Sequence, residues 1–277
     1  MKSFKIIPDV LVTAFFSAIM SLFLFTTAEA QNQIAVPLSN PNQSGELHLS
    51  MIRGSLQVSG YDGEEVIINY DNGQAEDREP ENEASRDGLR RLSSNSLGFE
   101  VTERENRVNI NNVSPMREID FDIRVPENFS MKISIVHGNS FLVENVNGDL
   151  EINHVNGEVE LTNIGGSALV NTVNGDIKAT FRSVAEGKPM AFSNVNGDID
   201  VTLPASANLT AKMKSEWGDM FTDFDMTMQQ GEDVSRGSTS SGGYQVSVNN
   251  WLIGEINGGG PEYLFKTLHG DIYIRKR

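Results

Sequence analysis

Val146-Asn147-Gly148-Asp149-Leu150-Glu151-Ile152-Asn153-His154 is followed without a break by Val155-Asn156-Gly157-Glu158-Val159-Glu160-Leu161-Thr162-Asn163 and Ile164-Gly165-Gly166-Ser167-Ala168-Leu169-Val170-Asn171-Thr172. A fourth copy opens at Val173-Asn174-Gly175-Asp176-Ile177 and runs on to Phe181. The glycines at 148, 157, 166 and 175 stand nine residues apart each time. A period that strict marks stacked, near-identical units.

Each unit has a mechanical reading. Asn-Gly supplies positive φ at a tight corner, where other residue pairs are strained. After the corner, Asp149 and Glu151 alternate with Leu150 and Ile152, so carboxylates face out and aliphatics face in. Stacking then predicts two inward ladders: Leu150, Val159, Ala168 and Ile177, beside Ile152, Leu161, Val170 and Ala179. Val146 has the opposite parity and turns inward only if the chain bends at the corner. No unit buries its apolar face alone, so the stack is the folding unit. The expected turn residues are Asn147, Gly148, Asn156, Gly157, Gly166, Asn174, Gly175, Asn196, Gly197 and Gly270. An antiparallel meander with Asn-Gly hairpins is the rival architecture. Parity opposes it, because Val155 would then face away from Leu150 and Ile152.

The phrase continues past Phe181. Arg182–Asn194 reads as an insertion, and Val195-Asn196-Gly197-Asp198-Ile199 resumes the pattern. Lys214–Phe221 is a degenerate copy with Trp217 in the Asn position. Gln229–Gly243 is polar and Gly/Ser-rich and reads as a loop. The last copy is Leu268-His269-Gly270-Asp271-Ile272, with histidine in the Asn position.

Upstream, the alternating runs at Glu46–Leu49, Ser55–Val58 and Glu65–Tyr70 predict strands separated by turns. The segment 71–96 is dense in charged and polar residues and reads as a solvated acidic loop. A hairpin is expected around Arg104–Asn106, and Ile119–Val125 alternates until Pro126 ends it. No helical period occurs.

Lys2 and Lys5, the apolar run Val10–Phe25 and the small-x-small site Ala28-Glu29-Ala30 together read as a secretory signal peptide over residues 1–30. The expected domains are therefore the signal at 1–30 and one β-solenoid at 31–277. Within it, 31–135 is a strand-rich lead-in and 136–277 the repeat array. No membrane span is expected after signal removal, which leaves the periplasm or cell surface of a bacterium. A formal charge of −16 disfavours nucleic acid and anionic membranes. With no cysteine, an exported chain has no disulfide framework and no thiol chemistry. Alternating segments with aromatic girdles are lacking, so a pore-forming barrel fits poorly.

The lead-in Ile123-Arg124-Val125-Pro126, the copies at Val146, Val155, Val173 and Val195, and the ending Gly259-Gly260-Pro261 through Ile272 together resemble the bacterial putative-adhesin family of exported envelope proteins. The likeness covers Gly45–Arg275. It implies a β-solenoid-like fold and a surface or envelope role, and it carries no catalytic residues over.

Calcium β-rolls share the nine-residue period but need further glycines in each unit. Asp149, Glu158 and Asp176 therefore read as a solvated face. The histidines His48, His137, His154 and His269 have no short ligand spacing, so no metal and no cofactor is expected. His137 and His269 occupy the corner position that Asn fills elsewhere. Polysaccharide-cleaving enzymes are also built as β-helices, and Glu160, Asp198 and Asp200 are the carboxylates such a reading would use. A third reading is a periplasmic docking module for envelope stress, with Trp217, Phe221, Phe224 and Trp251 as contacts. The expectation is a non-catalytic, adhesin-like protein whose partner is an envelope protein or a glycan.

Overall fold

The computed structural model describes residues 32–71, 98–112, 118–238 and 244–277, with the backbone alone over 229–250. The expected signal peptide and most of the acidic loop lie outside the described residues. The described chain is all strand, with no helix. The strands are β1 (Gln33–Pro37), β2 (Gly45–Tyr61), β3 (Glu65–Asp71), β4 (Phe99–Arg104), β5 (Arg107–Asn112), β6 (Asp120–Pro126) and β7 (Phe129–Glu144). Then come β8 (Leu150–Asn156), β9 (Val159–Gly166), β10 (Ala168–Asn174), β11 (Ile177–Val184), β12 (Met190–Ser193) and β13 (Ile199–Leu203). The last are β14 (Leu209–Trp217), β15 (Met220–Thr222), β16 (Met226–Ser238), β17 (Tyr244–Ile256), β18 (Glu262–His269) and β19 (Ile272–Lys276).

These strands wind into a β-solenoid with two faces. On the first face the ladder runs β5, the first half of β2, the first half of β7, β8, β10, β12, β18 and β14, every pair parallel. On the second it runs β6, the second halves of β2 and β7, then β9, β11, β13, β19 and β15, again all parallel. Parallel pairing throughout the repeat rules out the antiparallel meander.

The nine-residue phrase is half a coil. Leu150 pairs with Ala168, and Val159 with Ile177, so like stacks on like at twice the sequence period. The expected ladders are corrected accordingly. Leu150 and Ala168 belong to one wall, Val159 and Ile177 to the other, and the two walls meet across the core. A strand plus one corner uses about nine residues, and a flattened coil needs two of each before the backbone passes above itself. Met131, Leu150, Ala168, Met190, Tyr263 and Ala211 form one inward ladder. Val159, Ile177, Ile199 and Ile272 form another on the opposite wall. All are buried.

Chain order and stacking order part at both ends. The coil of β2 lies between β5/β6 and β7. Likewise β18/β19 lies between β12/β13 and β14/β15, so the last strands of the chain occupy an interior coil. Phe265 of β18 stacks on Phe192 with ring centroids 5.5 Å apart, which fills the core at that joint. Antiparallel strands cover both faces at one end, with β4 on β5, β3 on β6 and β1 on β3, and the first face at the other, with β17 on β14 and β16 on β17. Such caps block edge-to-edge growth of the stack.

Two local expectations change. Within the expected insertion Arg182–Asn194, residues 190–193 form β12, a regular rung. Leu169 pairs with Ala191, 22 residues on, against 18 for Leu150 and Ala168, so four residues are added at one corner. Residues 229–238 of the expected loop Gln229–Gly243 belong to β16, because the ladder with β17 satisfies the backbone of a polar sequence as well as that of an apolar one, and 239–243 lie outside the described residues. The hairpin at 104–106 has Glu105 and Asn106 at φ 54° and 61°.

Candidate functional site

Each coil has two corners, and they differ chemically. The first corner joins a first-face strand to the second-face strand of the same coil. Gly157, Gly175, Gly197 and Gly270 sit there at φ 134° to 145°. A Cβ on any of them, or on Gly218, would collide with the carbonyl of the corner glycine one coil earlier. Glycine is required because consecutive backbones pass this closely.

Beside the glycines run three columns. Asn174 donates to Asn156 Oδ1 at 2.8 Å and Asn196 to Asn174 Oδ1 at 2.8 Å. The register extends this column to His137 on one side and to His269 and Trp217 on the other. Next to it, Asp198 N–H donates to Asp176 Oδ1, Asp271 N–H to Asp198 Oδ1 and Asp219 N–H to Asp271 Oδ1, at 2.8 to 2.9 Å. Inside runs a buried polar column of His154, Thr172, Asn194 and Thr267. Asn194 donates to Gly175 O, Thr267 to Gly197 O and Ser215 to Gly270 O, so these side chains tie the glycine corner to the first face. His154 is 2% exposed, and neither of its ring nitrogens has a hydrogen-bond partner. Burial pushes its imidazole below the ordinary value, and the charge of nearby His137 adds to that.

The second corner carries the returns between coils. Asn145 and Asn163 adopt φ 59° and 57° there, which flips the parity of the next residue. Val146 and Ile164 turn inward and are buried, whereas Val155, Val173 and Val195 at the first corner are 38–40% exposed. Gly148 lies outside the positive-φ region, so the Asn-Gly corner reading is corrected at that position. Its need for glycine comes from Phe129, whose carbonyl a Cβ would strike. Asn147 accepts from Arg182, and its backbone N–H donates to Glu127 O at 2.7 Å. Gly166, at φ 148°, crosses over the Gly148 carbonyl. Later returns are longer. The segments 182–187, 204–208 and 259–261 enclose a groove of about 550 Å³, with Tyr263 in its wall. The Tyr263 hydroxyl is buried without a partner, and burial raises its pKa.

The repeat changes character at the first corner of its last two coils. In the Asn column, His269 and Trp217 replace the amides, and their rings stack with centroids 6.4 Å apart and planes 7° apart. On the second face the row Glu160, Lys178, Asp200 is continued by Tyr273 and Phe221. Those two rings stack at 5.1 Å and 12°. Trp217 is 73% and Phe221 48% exposed. Tyr273 donates its hydroxyl to Asp271 at 3.0 Å, and that hydrogen bond, with burial and the charge of Asp271, holds the phenol above its usual pKa. Arg275 grips Asp200 through Nε and Nη2 at 2.8 to 3.0 Å and lies over the Tyr273 ring.

Of the four aromatics expected as contacts, Trp217 and Phe221 are both exposed, on either side of the first corner of the last coil and four residues apart in the chain. Phe224 packs into the core, and Lys212 and Lys214 lie over Trp251. His269 backs Trp217 and Tyr273 backs Phe221. Tyr273 was missed because its alternation is that of an ordinary outward position, and only the register places it beneath Phe221. Among the described residues, no three His, Asp or Glu side chains converge as metal ligands. Asp198 and Asp200, two of the carboxylates an enzyme reading would use, are both engaged. One caps a backbone amide and the other is held by Arg275.

The model of the Toastrack DUF4097 domain family matches residues 36–251, and the chain belongs to that family. The match ends before β18 and β19. No curated protein matches the sequence. A crystal structure described as a "putative cell adhesion protein" from Clostridium sporogenes is similar over 89% of this chain and 99% of its own, at 11% identity and a TM-score of 0.46.

Proposed function

We propose that this Toastrack-family chain is an exported, non-catalytic protein of the bacterial envelope, and that it acts by binding through the aromatic end of its first corner. One observation carries the reading. The Asn column and the row Glu160, Lys178, Asp200, on either side of the acid column, switch together to stacked aromatic rings in the same two coils, and leave Trp217 and Phe221 open to solvent. A solenoid needs no exposed indole for its own stability, and exposed aromatic side chains set among polar groups are a usual mark of an interaction surface. The carboxylates nearby support binding over catalysis, because Asp176, Asp198 and Asp271 each accept a hydrogen bond from the next coil's backbone. A general acid or base must be free to exchange its proton with substrate.

The test is capture of envelope extract and of a glycan array by the purified protein, with Trp217→Ala alongside and cell fractions assayed for the protein. Retention that Trp217→Ala abolishes supports the reading. Release of soluble products from polysaccharide overturns it in favour of an enzyme, and a cytoplasmic location overturns export.

A further inference from the structure

We propose that the four rings at the end of the first corner form a saccharide platform whose ligand is a neutral β-linked glycan chain laid across Trp217 and Phe221. This deepens the binding reading above and rests on it. Trp217 is backed by His269 and Phe221 by Tyr273, in both cases with nearly parallel ring planes and on paired parallel strands. Rings held this way surrender little rotamer freedom on binding, so contact with them is not offset by ordering.

A pyranose with equatorial substituents presents a flat face of C–H bonds of slight positive character. That face matches the negative π-face of an indole or phenyl ring. β-linked chains expose such faces repeatedly. Trp217 and Phe221 are four residues apart around the corner, within about 14 Å of extended chain, so a short oligosaccharide reaches both.

The rim supplies what sugar hydroxyls need. Asp219 and Asp271 lie beside the rings in the acid column, Tyr273 brings a hydroxyl, and the Asp200–Arg275 pair offers acceptors and donors next to the Tyr273 ring. These carboxylates also interrupt the apolar surface, so it lacks the continuous apolar centre of a protein-docking patch. Charge sets the remaining selectivity. The rings stand beside the column Asp176, Asp198, Asp271 and Asp219 on a chain of net charge −16. Uronates, phosphates and sulfates are repelled there, which leaves neutral chains.

The protein contains two tryptophans, Trp217 and Trp251, so intrinsic fluorescence reports the site directly. The experiment titrates the exported chain with cellohexaose, chitohexaose and an oligogalacturonate of equal length. The expected result is a saturable emission change with the neutral hexamers and none with the anionic one. Trp217→Ala should weaken the neutral interaction about tenfold or more, as loss of a stacking platform does. Phe221→Ala should weaken it too, and Trp251→Ala should leave the affinity unchanged. Thermal melts of all variants check that the fold is kept. No saturable binding of either neutral hexamer overturns the proposal, as does a preference for oligogalacturonate or full affinity in Trp217→Ala. A protein captured in a Trp217-dependent way, with no glycan bound, overturns this ligand while leaving the binding function standing.

Discussion

Gly197 passes so closely over Gly175 that a Cβ on it would stand 2.5 Å from the Gly175 carbonyl oxygen. Gly187 also has positive φ, at 70°, but nothing lies within 4 Å of where its Cβ would be. Gly197→Ala therefore meets both backbone strain and a backbone collision, and is expected to cost about 2–4 kcal/mol. Gly187→Ala meets strain alone, and about 1 kcal/mol is expected. Chemical denaturation of both variants checks the contrast. Equal midpoints would show that coil stacking does not constrain the first corner.

The ladders give a second contrast. Ile152 and Ile177 are fully buried on opposite walls. Ile152→Ala and Ile177→Ala should each cost about 2–5 kcal/mol, from lost transfer energy and the cavity left behind. Glu151 pairs with Lys132, and Lys178 with Glu158, through side chains that are 43–56% exposed. Exposed pairs of this kind contribute about 0–1 kcal/mol, so Glu151→Ala and Lys178→Ala should barely move the denaturation midpoint. Similar losses in both classes would overturn the inward and outward assignment.

His154 makes stability depend on pH in a stated direction. Its folded pKa lies below its unfolded value near 6.5, because burial penalises the imidazolium. Above about pH 6.5 both states are neutral there, and the stability is fully present. As pH falls below that value the unfolded chain gains a proton that the folded chain resists. Stability is then lost, by at most about 1.4 kcal/mol per pH unit, until the folded pKa is reached. Melting temperature followed from pH 7.5 to 5 should decline in the natural protein and decline less in His154→Gln. Identical slopes would place the titration elsewhere.

Calcium offers a further check on the acid column. Three of its carboxylates give Oδ1 to a backbone N–H of the next coil, so each is already held in a structural hydrogen bond. Thermal unfolding in excess chelator and in millimolar calcium is expected to superimpose. A melting temperature raised by calcium would show Asp176, Asp198 and Asp271 acting together as ligands.

Much of this structure is written in local chemistry. The nine-residue spacing of Gly148, Gly157, Gly166 and Gly175, and the alternation of Leu150 and Ile152 with Glu151 and Asn153, point to stacked parallel rungs, because both follow from the reach and parity of a strand. The equivalence of His137, His269 and Trp217 to the corner asparagines is also legible in the sequence, and the register places all three in that column. The tertiary structure decided what depends on closing the coil. Two phrases are needed per turn, so Leu150 stacks on Ala168 and not on Val159. Asn163 in a left-handed conformation buries Ile164 while Val155 stays exposed, a difference set by the bend and not by the phrase. The insertion of β18/β19 between coils formed earlier in the chain, and hence the meeting of Tyr273 with Phe221, leaves no mark on the local pattern. Any rung of the right parity stacks equally well on its neighbours by backbone pairing. Which rung goes where is settled by side-chain volume at the joint, as where Phe265 stacks on Phe192.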